Sequence, residues 1–168
     1  PDSPYRFNSG HWTFSFSISP FRVPPLAELN EVLNREVPKY SGWPPFTYLQ
    51  SDSMKPNALG DNIQAWLVDS REKPQSDPWR SDFWRISRKG FGYLLRPMQE
   101  DRPSFAQNIA PRPAGQFFDW TRPVYRTFEL LKCLEKLAEK FSDANASFEI
   151  LLKYYHTNGR RLINREWK

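Results

Sequence analysis

Glu100 and Asp101 stand side by side where an apolar run ends. Adjacent carboxylates are what an acid–base pair or a cation site would use. Arg96 and Arg102 flank them, which makes a surface ion-pair cluster the plainer reading. A hydrolase with an unconventional acid site at Glu100 and Asp101 is the reading held against it. The two histidines, His11 and His156, lie before a strand and in a turn, with no metal-ligand spacing. The single cysteine, Cys133, falls within a helical pattern beside its apolar stripe, which suits a packed thiol better than a nucleophile. The chain contains no GxxxxGK[ST], GxGxxG or GxSxG pattern. No catalytic residue, metal or cofactor is therefore assigned, and a non-enzymatic protein is expected.

Aromatic and basic residues offer more. Trp43 and Trp79 lie in loops with prolines adjacent, where core filling explains a tryptophan less well than a pocket or partner surface does. Both are expected to be more exposed than Trp66 and Trp84, which fall on strands. Arg85, Arg122 and Arg126 can stack on such rings or pair with Asp82 and Asp119. The candidate partner- or ligand-binding set is Trp43, Trp79, Arg85, Trp120 and Arg122. The net charge of +5 is concentrated at the C-terminus, where Lys153, Arg160, Arg161, Arg165 and Lys168 face only Glu166. Arg160, Arg161, Arg165 and Lys168 are candidate nucleic-acid contacts, with Tyr154 or Tyr155 available for base stacking. The bland reading of the same residues is a solvated basic edge that discourages strand-to-strand aggregation.

The elements that must position these residues can be read from periodicity. Residues 12–19, WTFSFSIS, alternate without a break, so Trp12, Phe14, Phe16 and Ile18 share a buried face. Leu26–Val37 reads as a short helix between Pro25 and Pro38, burying Leu26, Leu29, Leu33 and Val37. Residues 40–46 form a turn-rich aromatic segment, with a short strand near Phe46–Leu49. Ser51 to Asp61 reads as a polar loop. Ile63–Val68 is apolar on both faces and is expected to be a central strand covered on two sides. Asp82–Ser87 and Phe91–Arg96 flank Arg88-Lys89-Gly90 as a hairpin, and its second strand reads as central. The stretches 69–81 and 100–115 are long loops.

After a strand end at Phe117 comes one long helix, Arg122–Phe141. Pro123 suits its first turn. Thr121 offers the better N-cap side chain, and the Asp119 carboxylate favours the helix dipole. Val124, Phe128, Leu131, Leu134, Leu137, Ala138 and Phe141 form an apolar stripe that requires a sheet to cover. Phe128, Leu131 and Leu134 are expected to pack on it. Ala146–Tyr155 is a strand, and Asn158-Gly159 turns the chain into Arg160–Asn164 as its partner strand.

The chain has 168 residues, enough for one domain with a proper core. Aromatics are 16%, beyond what core filling requires, and 16 prolines against 7 glycines indicate stiffened connections. No apolar run approaches the ~20 residues that span a bilayer, so no membrane partner is expected. One cysteine permits no internal disulfide, and a reducing cytoplasm is the expected compartment. The sequence begins Pro-Asp-Ser-Pro without Met, so residues 1–168 read as a single domain from a longer chain.

Several segments resemble a known family. Ser41-Gly-Trp-Pro-Pro-Phe46, Ser81-Asp-Phe-Trp-Arg85, Leu94-Leu-Arg-Pro-Met-Gln-Glu-Asp101, Phe118-Asp-Trp-Thr-Arg-Pro-Val-Tyr-Arg126 and Gly159-Arg-Arg-Leu162 occur in that order. Together they resemble the C-terminal region of bacterial proteins that carry an N-terminal Schlafen AlbA-type domain. The resemblance covers roughly positions 40 to 165. The resemblance implies no catalytic residues in this region, and because the AlbA-type domain itself is absent from this sequence, none of that domain's activity carries over. Where that family often has His-Thr before the Gly-Trp step, this chain has Tyr40-Ser41.

These readings converge on an α+β fold: a mixed, mainly antiparallel sheet with the long helix across one face and the shorter helix nearby. The expected function is a non-enzymatic accessory or sensing domain of a larger bacterial protein. It would bind another domain, a protein partner or a ligand through aromatic loop surface. The alternative is weak nucleic-acid binding through the basic C-terminal hairpin.

Overall fold

The computed structural model describes residues 10–40, 42–52, 54–67, 82–101 and 115–164. The opening alternation forms β1 (His11–Ser19), and Trp12, Phe14, Phe16 and Ile18 are all buried. β2 (Asn57–Leu59), β3 (Asn62–Leu67), β4 (Asp82–Ser87), β5 (Phe91–Pro97) and β7 (Ser147–Tyr155) complete a six-stranded sheet in the order β2-β3-β4-β5-β1-β7. Every neighbouring pair is antiparallel. The β4–β5 turn uses Gly90 at φ +84°, where a side chain would also strike Phe21. Gly92 on β5 has a different role: the Phe16 ring lies where its Cβ would be, so the pair lets β1 and the core close up.

Two helices pack on the same face of this sheet. α1 (Leu26–Glu31) continues into a π turn, Val32–Glu36, and together they bury Leu29, Val32 and Leu33. α2 (Thr121–Phe141) buries Leu130, Cys133, Leu134, Leu137 and Phe141. These join the inward residues of β1, β3, β4 and β5 in one core. The architecture is α+β, with the two expected helices and a largely antiparallel sheet. β5 is central, as its uninterrupted apolar pattern implies. No helix among the described residues is long and apolar enough to cross a membrane.

The structure corrects several local expectations. The first half of α2 is rotated from the expected stripe: Val124, Phe128 and Leu131 are 58%, 51% and 45% exposed, while Leu130 and Cys133 are fully buried. The reason is Glu129, which is buried beside Arg126 at 3.5 Å. A carboxylate turned inward by an ion pair is invisible to a hydropathy pattern, and it carries its neighbour Leu130 inward with it. β3 is not covered on both faces among the described residues, since none of their helices lies over the outer face and Trp66 is 38% exposed there. Residues 46–49 form no strand, whereas β2 appears within the expected 51–61 loop.

The chain end differs too. β8 (Arg161–Ile163) does not pair with β7 but runs parallel to β6 (Phe117–Asp119). Arg160 fixes this choice: it turns inward and donates to the Phe117 carbonyl oxygen at 2.9 Å. The α2 assignment yields a contrast. Leu130→Ala should lower unfolding stability by about 2–5 kcal/mol, as removal of a core leucine does, and Leu131→Ala by only a fraction of that. Urea denaturation of both variants checks it; equal losses would contradict the observed rotation of the helix.

Candidate functional site

One end of the inner sheet face breaks the apolar rule. Alternation carries Asp82, two residues before the buried Trp84, and Arg96, two residues after the buried Leu94, onto core positions. Pairing then sets one residue from each of five strands in a row: Leu67, Asp82, Arg96, Trp12 and Tyr154. This row is the floor of a cavity of about 510 Å³. Its walls come from the 43–54 loop (Trp43, Leu49, Met54), from Pro97 to Glu100, from Phe118 on β6, and from the first turns of α2 through Arg122, Pro123 and Arg126. The rings are large and near one another, with Trp12 6.3 Å and Phe118 5.6 Å from Tyr154 between centroids.

Arg96 holds the site together. Its side chain is only 5% exposed, with Nε 3.2 Å from Asp82 Oδ2. Its terminal nitrogens donate to the carbonyl oxygens of Trp43, Pro44 and Pro45 at 3.1, 2.5 and 3.0 Å. A proline lacks an N–H, so these carbonyls sit on a segment with few donors of its own, and the guanidinium supplies them. The Trp43 indole N–H donates to Asp82, which draws this loop tryptophan over the row. Burial pulls the Arg96 pKa down, opposed by Asp82 and then Glu129.

Arg126 repeats the pattern from α2. It donates to the Trp43 carbonyl oxygen at 2.5 Å and pairs with Glu129. Burial first, and the Arg96 charge second, bring its pKa down to about 10. Arg122 Nε pairs with Asp119 at 3.1 Å and its guanidinium reaches Gln99. Glu100 accepts the Asp119 N–H at 2.9 Å, and burial raises its carboxyl towards the neutral form. Burial also pushes the Tyr154 phenol up to about 12. The cleft is thus an aromatic chamber with arginines and the Glu100 carboxyl on its walls.

Asp101 sits just behind the cleft and is not part of a surface cluster. It accepts N–H groups from Gly10 and Gly115 at 2.8 Å each and a two-pronged pair from Arg160 at 2.6 Å. Both side chains of that pair are 1% exposed. Burial alone would raise the Asp101 carboxyl, but the Arg160, Gly115 and Gly10 hydrogen bonds outweigh it and hold the carboxyl low. Arg160 therefore does not present its charge to a nucleic-acid backbone, and the reason is this pairing. Arg161 is exposed on β8, whereas Arg165 and Lys168 lie outside the described residues.

Of the residues expected to bind a partner or ligand, the cleft brings together Trp43 and Arg122. Arg85 lies on the outer sheet face, bonded to Gln64 and stacked 5.4 Å from the Phe83 ring centroid. Trp120 precedes α2 and is 48% exposed away from the cleft. Trp79 lies outside the described residues. The expected order of exposure is reversed for Trp43 and Trp66: Trp43 is half-buried because Asp82 and Arg96 hold its loop down, while Trp66 lies on the uncovered face. At the start of α2 it is Asp119, not Thr121, whose side chain caps, accepting both the N–H and the hydroxyl of Thr121.

Trp12 and Arg96 were not among the expected site residues; Tyr154 was considered only for base stacking, and Asp82 and Arg126 only as pairing or stacking partners outside the candidate set. A usable signal existed for two of them: Asp82 and Arg96 are charges at core parity on otherwise apolar strands. Trp12 and Tyr154 look like ordinary core residues in sequence, since only the third dimension leaves a chamber above them. Cys133 is fully buried and its thiol is pushed up to about 12, mainly by burial. His11 stacks on Tyr155 at 4.5 Å with His156 beside it. Among the described residues no group of three or more His, Cys, Asp or Glu could hold a metal ion. No family model matches the chain, and comparisons with curated proteins and with solved structures find no match either.

The Asp101–Arg160 pair generates a prediction with a definite sign. Arg160→Met strands a buried carboxylate and should cost about 3–5 kcal/mol. A carboxyl held low in the fold stabilises above its unfolded pKa of about 3.9 and loses that contribution as pH falls through the folded value. Wild-type stability should therefore drop below about pH 4, and the drop should be smaller in Arg160→Met. Denaturant titrations at several pH values check this; parallel pH profiles would contradict it.

Proposed function

We propose that this chain is a non-enzymatic ligand-binding domain, acting as an accessory or sensing unit of a larger bacterial protein, with the aromatic cleft as its binding site. The observation that carries the reading is the cavity of about 510 Å³ over the Asp82–Arg96–Trp12–Tyr154 row. That volume lies within the range of small-molecule pockets, which are largely apolar with a few placed polar groups. Trp12, Trp43, Phe118 and Tyr154 suit a flat ring system. Arginines suit acceptor groups on its edge.

The non-enzymatic part of the reading is supported by what the reactive side chains are already doing. Asp101 is saturated by Gly10, Gly115 and Arg160, and the buried Cys133 thiol is held protonated. The likeness of several segments to Schlafen AlbA-associated regions agrees with an accessory role. Nucleic-acid binding at the C-terminal hairpin finds less support, because Arg160 is turned inward.

A screen of planar aromatic carboxylates by calorimetry tests the proposal. Binding is expected to weaken at least about tenfold, or 1.4 kcal/mol, in Trp43→Ala. Leu49→Trp, which fills the chamber from its wall, should weaken it as well. Circular dichroism separates lost binding from lost folding. A ligand that binds both folded variants as tightly as wild type would overturn this site.

A further inference from the structure

Among the described residues β7 is the longer of the two edge strands of the main sheet. It is nine residues long, about 30 Å of strand at roughly 3.4 Å per residue. Among the described residues it has one neighbour, β1, and its other edge is open. Seven of its nine residues are exposed, including Phe148, Ile150, Leu151 and Tyr155. Long apolar edge strands are templates for pairing, and folded chains usually blunt or cover them. Here the exposed apolar surface continues onto α2. Phe128, Leu131 and Leu134 line a groove with Phe148, about 410 Å³ in volume. The rotation of α2 that left Phe128 and Leu131 outside therefore places them beside the open edge.

The sequence of this edge is complementary to itself. Set two copies of SFEILLKYY antiparallel about a two-fold axis through Leu151, and Glu149 of each faces Lys153 of the other on the outer face. Leu151 meets Leu151, and on the inner face Ile150 meets Leu152 and Phe148 meets Tyr154. Moving the axis by one residue puts Glu149 opposite Leu151 or Tyr155 and breaks both charge pairs. Opposite charges directly across antiparallel strands are favourable, and like charges there are unfavourable. The same axis, normal to the sheet, sets the two α2 helices on one side of the joined sheet, with Phe128 and Leu131 towards the junction.

From this geometry we infer that β7 is the dimer interface of this protein, its occupant being β7 of a second copy in the Leu151-centred register. The two sheets join into one of twelve strands, and the interface is isologous, as two-fold pairing requires. The binding cleft touches this contact at one residue, Tyr154, which floors the cleft and faces Phe148 of the second copy.

Sedimentation analysis of the chain is expected to show a monomer–dimer equilibrium with a dissociation constant in the micromolar range or tighter. Glu149→Lys and Lys153→Glu each create two like-charge pairs per dimer and should weaken it about tenfold. The double variant Glu149→Lys/Lys153→Glu restores opposite charges and should return to wild-type strength. Both positions are exposed, so the monomer keeps its fold, which circular dichroism verifies. Leu151→Cys reads the register: opposed Cα atoms in an antiparallel pair are about 4.5–5.5 Å apart, within disulfide reach. Mild oxidation should cross-link it, and should not cross-link Tyr155→Cys, whose copies stand roughly 27 Å apart in this register. A chain that stays monomeric at every concentration overturns the proposal and leaves the edge to a different protein. So does a dimer indifferent to both single charge reversals, or cross-linking of Tyr155→Cys as readily as Leu151→Cys.

Discussion

The buried guanidinium of Arg96 is the constraint on which the rest of the site depends. A charge this deep is tolerable only when it is paired and hydrogen-bonded. Arg96 is paired with Asp82 on the neighbouring strand, and its terminal nitrogens donate to three successive carbonyl oxygens of the Trp43–Pro45 segment, while its Nε makes the ion pair without a hydrogen bond. The same contacts therefore solve two problems. They satisfy an arginine at a core position, and they pin a proline-rich loop that could not join a sheet. The loop cannot then fill the space over Trp12 and Tyr154, and a chamber remains.

A second buried pair, Asp101–Arg160, closes the structure from behind. It joins Gly10 before β1, Gly115 before β6 and the turn after β7 through one carboxylate. Gly10 has no room for a side chain there, because a Cβ would meet Arg160 at 2.4 Å. The C-terminal segment is thereby carried off β7 and onto β6, and among the described residues β7 keeps β1 as its one strand neighbour.

What the sequence made legible follows from where the physics is local. β1, the β4–β5 hairpin with Gly90, the central place of β5 and both helices were readable, because alternation, turn chemistry and helical spacing act over a few residues. Reading failed where a distant charge overruled the local pattern. Glu129 turned the first half of α2 through its pairing with Arg126. Arg160 took β8 to β6 instead of β7. Asp82 drew Trp43 inward while Trp66, on an apolar strand, stayed on an uncovered face. The candidate site was half visible for the same reason: Trp43 and Arg122 stood out in a loop and a helix start, but Arg96 and Asp82 carry meaning only once opposed across strands.

The central claim is that the chamber above Arg96 is where a ligand sits. Its most direct measurement follows the indole N–H resonances of the tryptophans while flat aromatic carboxylates are titrated into the ¹⁵N-labelled chain. Trp12 and Trp43 line the chamber, whereas Trp66 and Trp120 lie outside it and serve as internal references. The account predicts saturable shifts at Trp12 and Trp43 with Trp66 and Trp120 unmoved. Shifts confined to Trp66 or Trp120 on addition of a ligand that binds would contradict it.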